Sequence, residues 1–321
     1  MPGTEPREAA AVVIGEVPDL PHLVELPARG PGADLVGRAG AVLAGLHVDH
    51  QPSGWRLVPR AGLDERRASS YLSQDLDALE EAAHGYTGTL KVQVAGPWTL
   101  LAALQVPRGE PVLFDPGARR DVVASLAEGV AAHLAEVRRR VPGATLLVQL
   151  DEPSLPTVLA GGIRSVSGLK AFPPPPDAES EAVLRAVVDA AGAPVVVHCC
   201  AARPPVALMA RCGAAGVSID LSLAGRESDD ELGEAVEAGV LLFAGVVPAV
   251  GGDLSAPADT VAPVRRLWQR LGLSPDLLAG PTSSVVVTPT CGLAGASPDR
   301  ARAVLELCRA AARALVEDPE G

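Results

Sequence analysis

Short apolar, β-branched runs alternate with amphipathic stretches along nearly the whole chain, which is the pattern of βα units around a parallel sheet. Seven runs read as strands: His22 to Leu26, Leu90 to Val94, Thr145 to Leu150, Pro194 to His198, Gly216 to Ile219, Leu241 to Val246 and Ser284 to Thr288. Between them, Asp121 to Arg140 places Val122, Leu126, Val130, Leu134 and Val137 on one helical face, and Val141-Pro142-Gly143 stops that helix. Pro6 to Glu16 and Ser69 to Ala83 also read as helices. Gln51 to Arg60, with Trp55, does not fit a βα unit and predicts a hairpin or an excursion. The stretch 171–177, containing Phe172-Pro173-Pro174-Pro175-Pro176, predicts a stiff surface loop. Seven strands are one short of a closed barrel. The expected fold is therefore an α/β, (β/α)8 TIM barrel lacking its first strand, which would have to precede Met1, in one domain over residues 1–321.

Composition narrows the partners. Hydrophobic residues make up 48% but aromatic residues only 2%, so the core must be built from Ala, Val and Leu. With a formal charge of −12 and two lysines, Lys91 and Lys170, the chain has no basic stripe for nucleic acid and little attraction to anionic membranes. No segment approaches the roughly 20 apolar residues of a membrane span, and the acidic N-terminus is unlike a secretory signal, so a cytoplasmic protein is expected. Five cysteines then stay reduced. Cys212 and Cys308 fall in helical patterns and read as inert core residues. His22, His47, His50, His84 and His133 show no ligand spacing and read as surface or interface residues.

The chemistry collects at the strand ends. Val195-Val196-Val197-His198-Cys199-Cys200 ends an apolar strand in soft metal ligands, and alternation aims His198 and Cys200 at one point with Cys199 turned away. Cys291 follows a second such strand, and Asp220 closes Val217-Ser218-Ile219-Asp220. One imidazole, two thiolates and a carboxylate would suit Zn2+, which could hold a substrate thiol as thiolate. Packing alone is the competing reading. Asp151, on the strand face of Gln149, is expected at the mouth as a ligand for a substrate amine, and Glu152 as a capping or orienting residue. Glu25 reads as a further substrate contact, with surface solvation or a salt bridge to Arg29 as alternatives. No residue is assigned as a catalytic acid or base.

Val148-Gln149-Leu150-Asp151-Glu152-Pro153, His198-Cys199-Cys200, Thr290-Cys291-Gly292-Leu293 and Gly96-Pro97-Trp98-Thr99 stand in an order that resembles the catalytic barrel of cobalamin-independent methionine synthase. That family belongs to a superfamily with uroporphyrinogen decarboxylase. The resemblance implies zinc on His198, Cys200 and Cys291, homocysteine as acceptor with its amine on Asp151, and a methyl donor such as methyltetrahydrofolate or a methyl-corrinoid. It also implies that only the catalytic one of the family's two barrels is present. Three positions depart from the family. Asp220 stands where the family has a glutamate ligand. The segment from Gly245 to Asp253 carries no histidine where the family has the proton donor to folate. Met1-Pro2-Gly3-Thr4 resembles the tail of the family's opening Gly-Ser-x-Pro, from which a late chain start is expected, without the substrate-contacting serine. The expected function is a zinc-dependent S-methyltransferase of methionine biosynthesis. The alternatives are a zinc- or thiol-binding module without methyl transfer, and a metal-free decarboxylase of porphyrin-like substrates.

Overall fold

The computed structural model describes residues 1–279 and 283–321. In chain order the helices are α1 (Pro6–Glu16), α2 (Leu35–Gly40), α3 (Leu63–Ala82), α4 (Pro97–Ala103), α5 (Pro116–Arg140), α6 (Leu155–Leu159), α7 (Asp177–Ala190), α8 (Val206–Arg211), α9 (Asp229–Glu237), α10 (Pro257–Leu271) and α11 (Pro298–Glu317). The strands are β1 (His47–Gln51), β2 (Gly54–Val58), β3 (Thr89–Ala95), β4 (Thr145–Asp151), β5 (Val195–Cys199), β6 (Gly216–Asp220), β7 (Leu241–Val247) and β8 (Val285–Pro289). Strands β3 to β8 pair in sequence order and in parallel, giving a curled, six-stranded half-barrel of an incomplete TIM-like barrel. The excursion around 51–60 is the antiparallel hairpin β1-β2, closed by Gly54 at φ 118°, a backbone conformation that favours glycine.

The expected strand from His22 to Leu26 is a correction. It contributes one ladder bridge, His22 to Lys91, with Leu23 N–H donating to Lys91 O at 2.9 Å and Lys91 N–H to Pro21 O at 2.8 Å. Beyond that point the Gln93 side chain donates to Leu23 O at 2.6 Å, where a strand would place backbone. That contact takes the carbonyl the next ladder bond would need, and Pro21 and Pro27, without N–H donors, bracket the segment on either side.

Alternation along the strands separates two faces. On the convex side Leu146, Val148, Leu150, Val195, Val197, Cys199, Val217 and Ile219 pack into one large core under the helices. On the concave side Leu147, Val196 and Phe243 form a small apolar floor together with Leu20, Leu241 and Val286. The next concave row, toward the C-terminal strand ends, is Asp151, His198 and Ser218, so polar chemistry is stacked above an apolar base.

Helix α5 docks closely enough to reverse a general rule. Ala44 N–H donates to Ser125 O at 3.2 Å and Ser125 Oγ to Ala44 O at 2.8 Å, while a Cβ at Gly129 would stand 1.9 Å from Val42 O. Alanine ordinarily gains about 1 kcal/mol over glycine inside a helix. Gly129→Ala is expected instead to lower stability by roughly 1–3 kcal/mol, because overpacking forces the backbone apart. A urea denaturation midpoint at or above that of the wild type would contradict this. His133, expected at the surface, is buried on the same helix, and burial pushes its pKa down to about 4.

In the Pro-rich stretch Phe172 and Pro175 are buried, and Phe172 meets Phe114 edge-on with centroids 5.9 Å apart. Among the described residues no helix is long and apolar enough to cross a membrane.

Candidate functional site

His198, the concave residue near the end of β5, is fixed by its neighbour on β6. Its Nδ1 lies 2.9 Å from Ser218 Oγ and 3.2 Å from Ser218 O. A carbonyl oxygen only accepts, so Nδ1 carries the hydrogen and Nε2 keeps its lone pair for a ligand. Cys200 follows in the loop after β5 and Cys291 in the loop after β8, 91 residues apart in sequence. Their sulfurs meet at 3.5 Å, within hydrogen-bond reach for sulfur. Two thiolates each about 2.3 Å from a tetrahedral zinc stand roughly 3.7 Å apart, so this pair is spaced for one.

The two thiols shift each other in opposite directions. The neighbouring Cys200 thiol, then His198, push Cys291 down to about 4, while the Cys291 partner and burial push Cys200 up. Cys199 sits in the convex core, and burial raises its thiol to about 11, as expected of an inert residue. Asp220 is in the mouth but engaged elsewhere. Its Oδ1 accepts from Ser222 N–H at 2.9 Å and Ser222 Oγ–H at 2.6 Å. Among the described residues no group of three or more His, Cys, Asp and Glu side chains stands ready to hold a metal ion as arranged. The donor set of His198, Cys200 and Cys291 nevertheless fits zinc in chemistry and sulfur spacing.

Two partly buried carboxylates, Asp151 and Glu25, lie near each other, and Asp151 also feels the Cys291 thiol. Asp151 ends β4, paired in register with His198, and accepts from Gln149 Nε2 at 2.7 Å. Burial pushes its pKa up, while His198, Gln149 and Lys91 oppose the shift. Glu25 extends from the irregular segment beside β3, and burial pushes its carboxyl up as well. Its ion-pair partner is Arg38 at 3.2 Å, not Arg29. Arg29 turns instead to Asp75, with contacts of 2.7 and 2.8 Å, and Arg38 bonds the same carboxylate from the other side. Asp75 is completely buried. Glu25 is thus the outermost member of a chain running through Arg38 and Asp75 to Arg29.

Glu152 caps a helix, but of the preceding unit. Its carboxylate accepts from Trp98 N–H at 2.8 Å and from Thr99 N–H and Oγ–H at 2.7 Å, which closes the N-terminus of α4. A Cβ at Gly96 would lie 2.5 Å from that carboxylate, so the Gly-Pro-x-Thr turn needs its glycine here for close approach.

A chamber of about 810 Å3 opens beside Cys291, lined by Asp220, Thr290, Pro248 and Ala249, with Arg226, Arg266 and Arg270 also on its walls. The loop after β7 is held by Arg300, which donates to Pro248 O at 3.0 Å, Gly251 O at 2.7 Å and Gly252 O at 2.8 Å. It offers the chamber apolar side chains and no titratable group from 246–250.

Sequence reasoning missed Lys91, Arg38 and Asp75. Lys91 stood out as a lone cation inside an apolar strand, and Asp75 as an acid within the buried stripe Leu72, Leu76, Leu79 of α3.

Comparison with known proteins bears on the family and the fold. The family model described as "Cobalamin-independent synthase, Catalytic domain" matches residues 81–314. A B12-independent methionine synthase from Shewanella sp. W3-18-1, solved in complex with selenomethionine, superposes with a TM-score of 0.59 at 12% identity, covering 96% of this chain and 86% of that one. At that identity the likeness concerns the fold. No curated protein sequence matches the chain.

Proposed function

The chain belongs to the cobalamin-independent methionine synthase catalytic-domain family, and from that membership we propose that it is a zinc-dependent S-methyltransferase with homocysteine or a related thiol as acceptor. The observation that carries the reading is the meeting of Cys200 and Cys291, from two distant strand ends, at 3.5 Å beside His198. His198, Cys200 and Cys291 would hold the metal. Zinc bound there supplies the Lewis acidity that keeps a thiol of pKa about 8.5 ionised at neutral pH.

The remaining work falls to the protein. Asp151 and Glu25 place negative charge side by side, where an amino-acid ammonium group would be received. Ser218 keeps His198 in the tautomer that leaves Nε2 free. The apolar floor of Leu147, Val196 and Phe243 closes the barrel below the reacting sulfur and excludes water there.

One observation favours the alternative of thiol binding without transfer. The loop after β7 brings no titratable side chain to the chamber, so a methyl donor whose leaving nitrogen needs protonation receives no acid from that loop. The deciding experiment gives zinc-loaded protein L-homocysteine with either methyltetrahydrofolate or methylcobalamin and measures methionine. Methionine from either donor is the expected result. Tight homocysteine binding with no methionine from either would leave the binding module as the correct reading.

A further inference from the structure

We propose that Lys91 is a positioning residue, which through Gln149 fixes the Asp151 carboxylate for the acceptor's ammonium group. The inference rests on the proposed function, since it takes Asp151 as the amine ligand. Lys91 lies on the concave face of β3, in register with Leu147, one layer below Gln93 and Gln149. Among the described residues it enters no ion pair, and its side-chain hydrogen bond runs to Gln149 Oε1 at 2.6 Å. Gln149 Nε2 in turn donates to Asp151 Oδ1 at 2.7 Å.

This order of contacts has only one consistent orientation. An ammonium group can only donate, so it selects the oxygen end of the amide and forces the NH2 end toward Asp151. A flipped amide would set NH2 against ammonium and carbonyl against carboxylate, two repulsions in a setting of low dielectric. Gln149 therefore relays the lysine charge as a directed N–H. Asp151 is pinned by Oδ1, and among the described residues its Oδ2 accepts no hydrogen bond, leaving it for a ligand.

The choice of residue points the same way. Of 27 basic residues only Lys91 and Lys170 are lysines, and every other cation in the chain is arginine. A compact ammonium delivers its charge to one amide oxygen as a point contact, which a planar guanidinium fork would spread over more than one acceptor.

The test measures L-methionine binding to zinc-loaded protein by calorimetry, in the wild type, Lys91→Met and Gln149→Glu. Lys91→Met should weaken binding roughly tenfold with zinc content unchanged, the scale of one charge-assisted contact. Gln149→Glu separates relay from mere packing. It keeps a partner for Lys91, so a purely structural lysine predicts full affinity, while the relay predicts a loss at least as large as for Lys91→Met, because carboxylate would face carboxylate. Gln149→Glu binding L-methionine as tightly as the wild type overturns the proposal, and decides it even where Lys91→Met fails to fold. Wild-type protein that holds zinc yet ignores L-methionine overturns the proposed function itself, and the relay with it.

Discussion

Cys291→Ser should leave the protein with little zinc, and Cys200→Ser should do the same. The two sulfurs follow β5 and β8, three strands apart in the sheet, so neither has a local substitute. A serine hydroxyl is a poor, normally protonated ligand, and losing one thiolate from a set of three protein donors costs more than the roughly 10- to 100-fold in affinity typical of changes to outer supporting groups. Cys199→Ser is the matched control. That thiol lies in the convex core, so its loss should lower stability while metal content stays at the wild-type level. Metal analysis after gel filtration reads all three. Full zinc in both Cys200→Ser and Cys291→Ser would remove the basis of the functional reading.

The second large effect is expected away from the thiols. Asp75→Asn should destabilise the fold by about 3–5 kcal/mol, the usual cost of breaking a buried ion pair from one side. Asp75 is completely buried and bonded by both Arg29 and Arg38, so the neutral amide leaves two guanidinium groups without their countercharge. It also presents an NH2 to groups that only donate. Arg29 keeps partial support by lying over the Tyr71 ring at 4.6 Å. Arg38 keeps only Glu25, and the carboxylate proposed for substrate becomes a structural counterion. Weaker thiol binding should therefore accompany the lower urea midpoint. An unfolding free energy within about 0.5 kcal/mol of wild type, the range of an ordinary surface substitution, would show that the cluster is well solvated.

What was legible in the chain follows from which forces act locally. Six strands and the long helices announced themselves because burying a face imposes a period, and both β3 to β8 and α5 obey it. The seventh strand stops at one bridge, because the Gln93 side chain takes the carbonyl that the next ladder bond would need. The candidate metal ligands were readable from alternation at two strand ends. The supporting groups were not, since Lys91, Gln149 and Asp151 meet through side chains on different strands, and Arg38 reaches Asp75 from a separate helix. Asp75 left a trace even so. A carboxylate inside an apolar helical stripe needs buried cations to meet it, although its position along the chain does not say which arginines those are.

The clamp by Arg300 on the loop after β7 separates shape from identity. It grips three main-chain oxygens, which every amino acid carries, so only Gly251 and Gly252, at φ 67° and 63°, tie their identity to the contour. The residues ahead of the two glycines can therefore change while the contour stays. The chemistry that this loop presents to the chamber is free to drift on an unchanged scaffold.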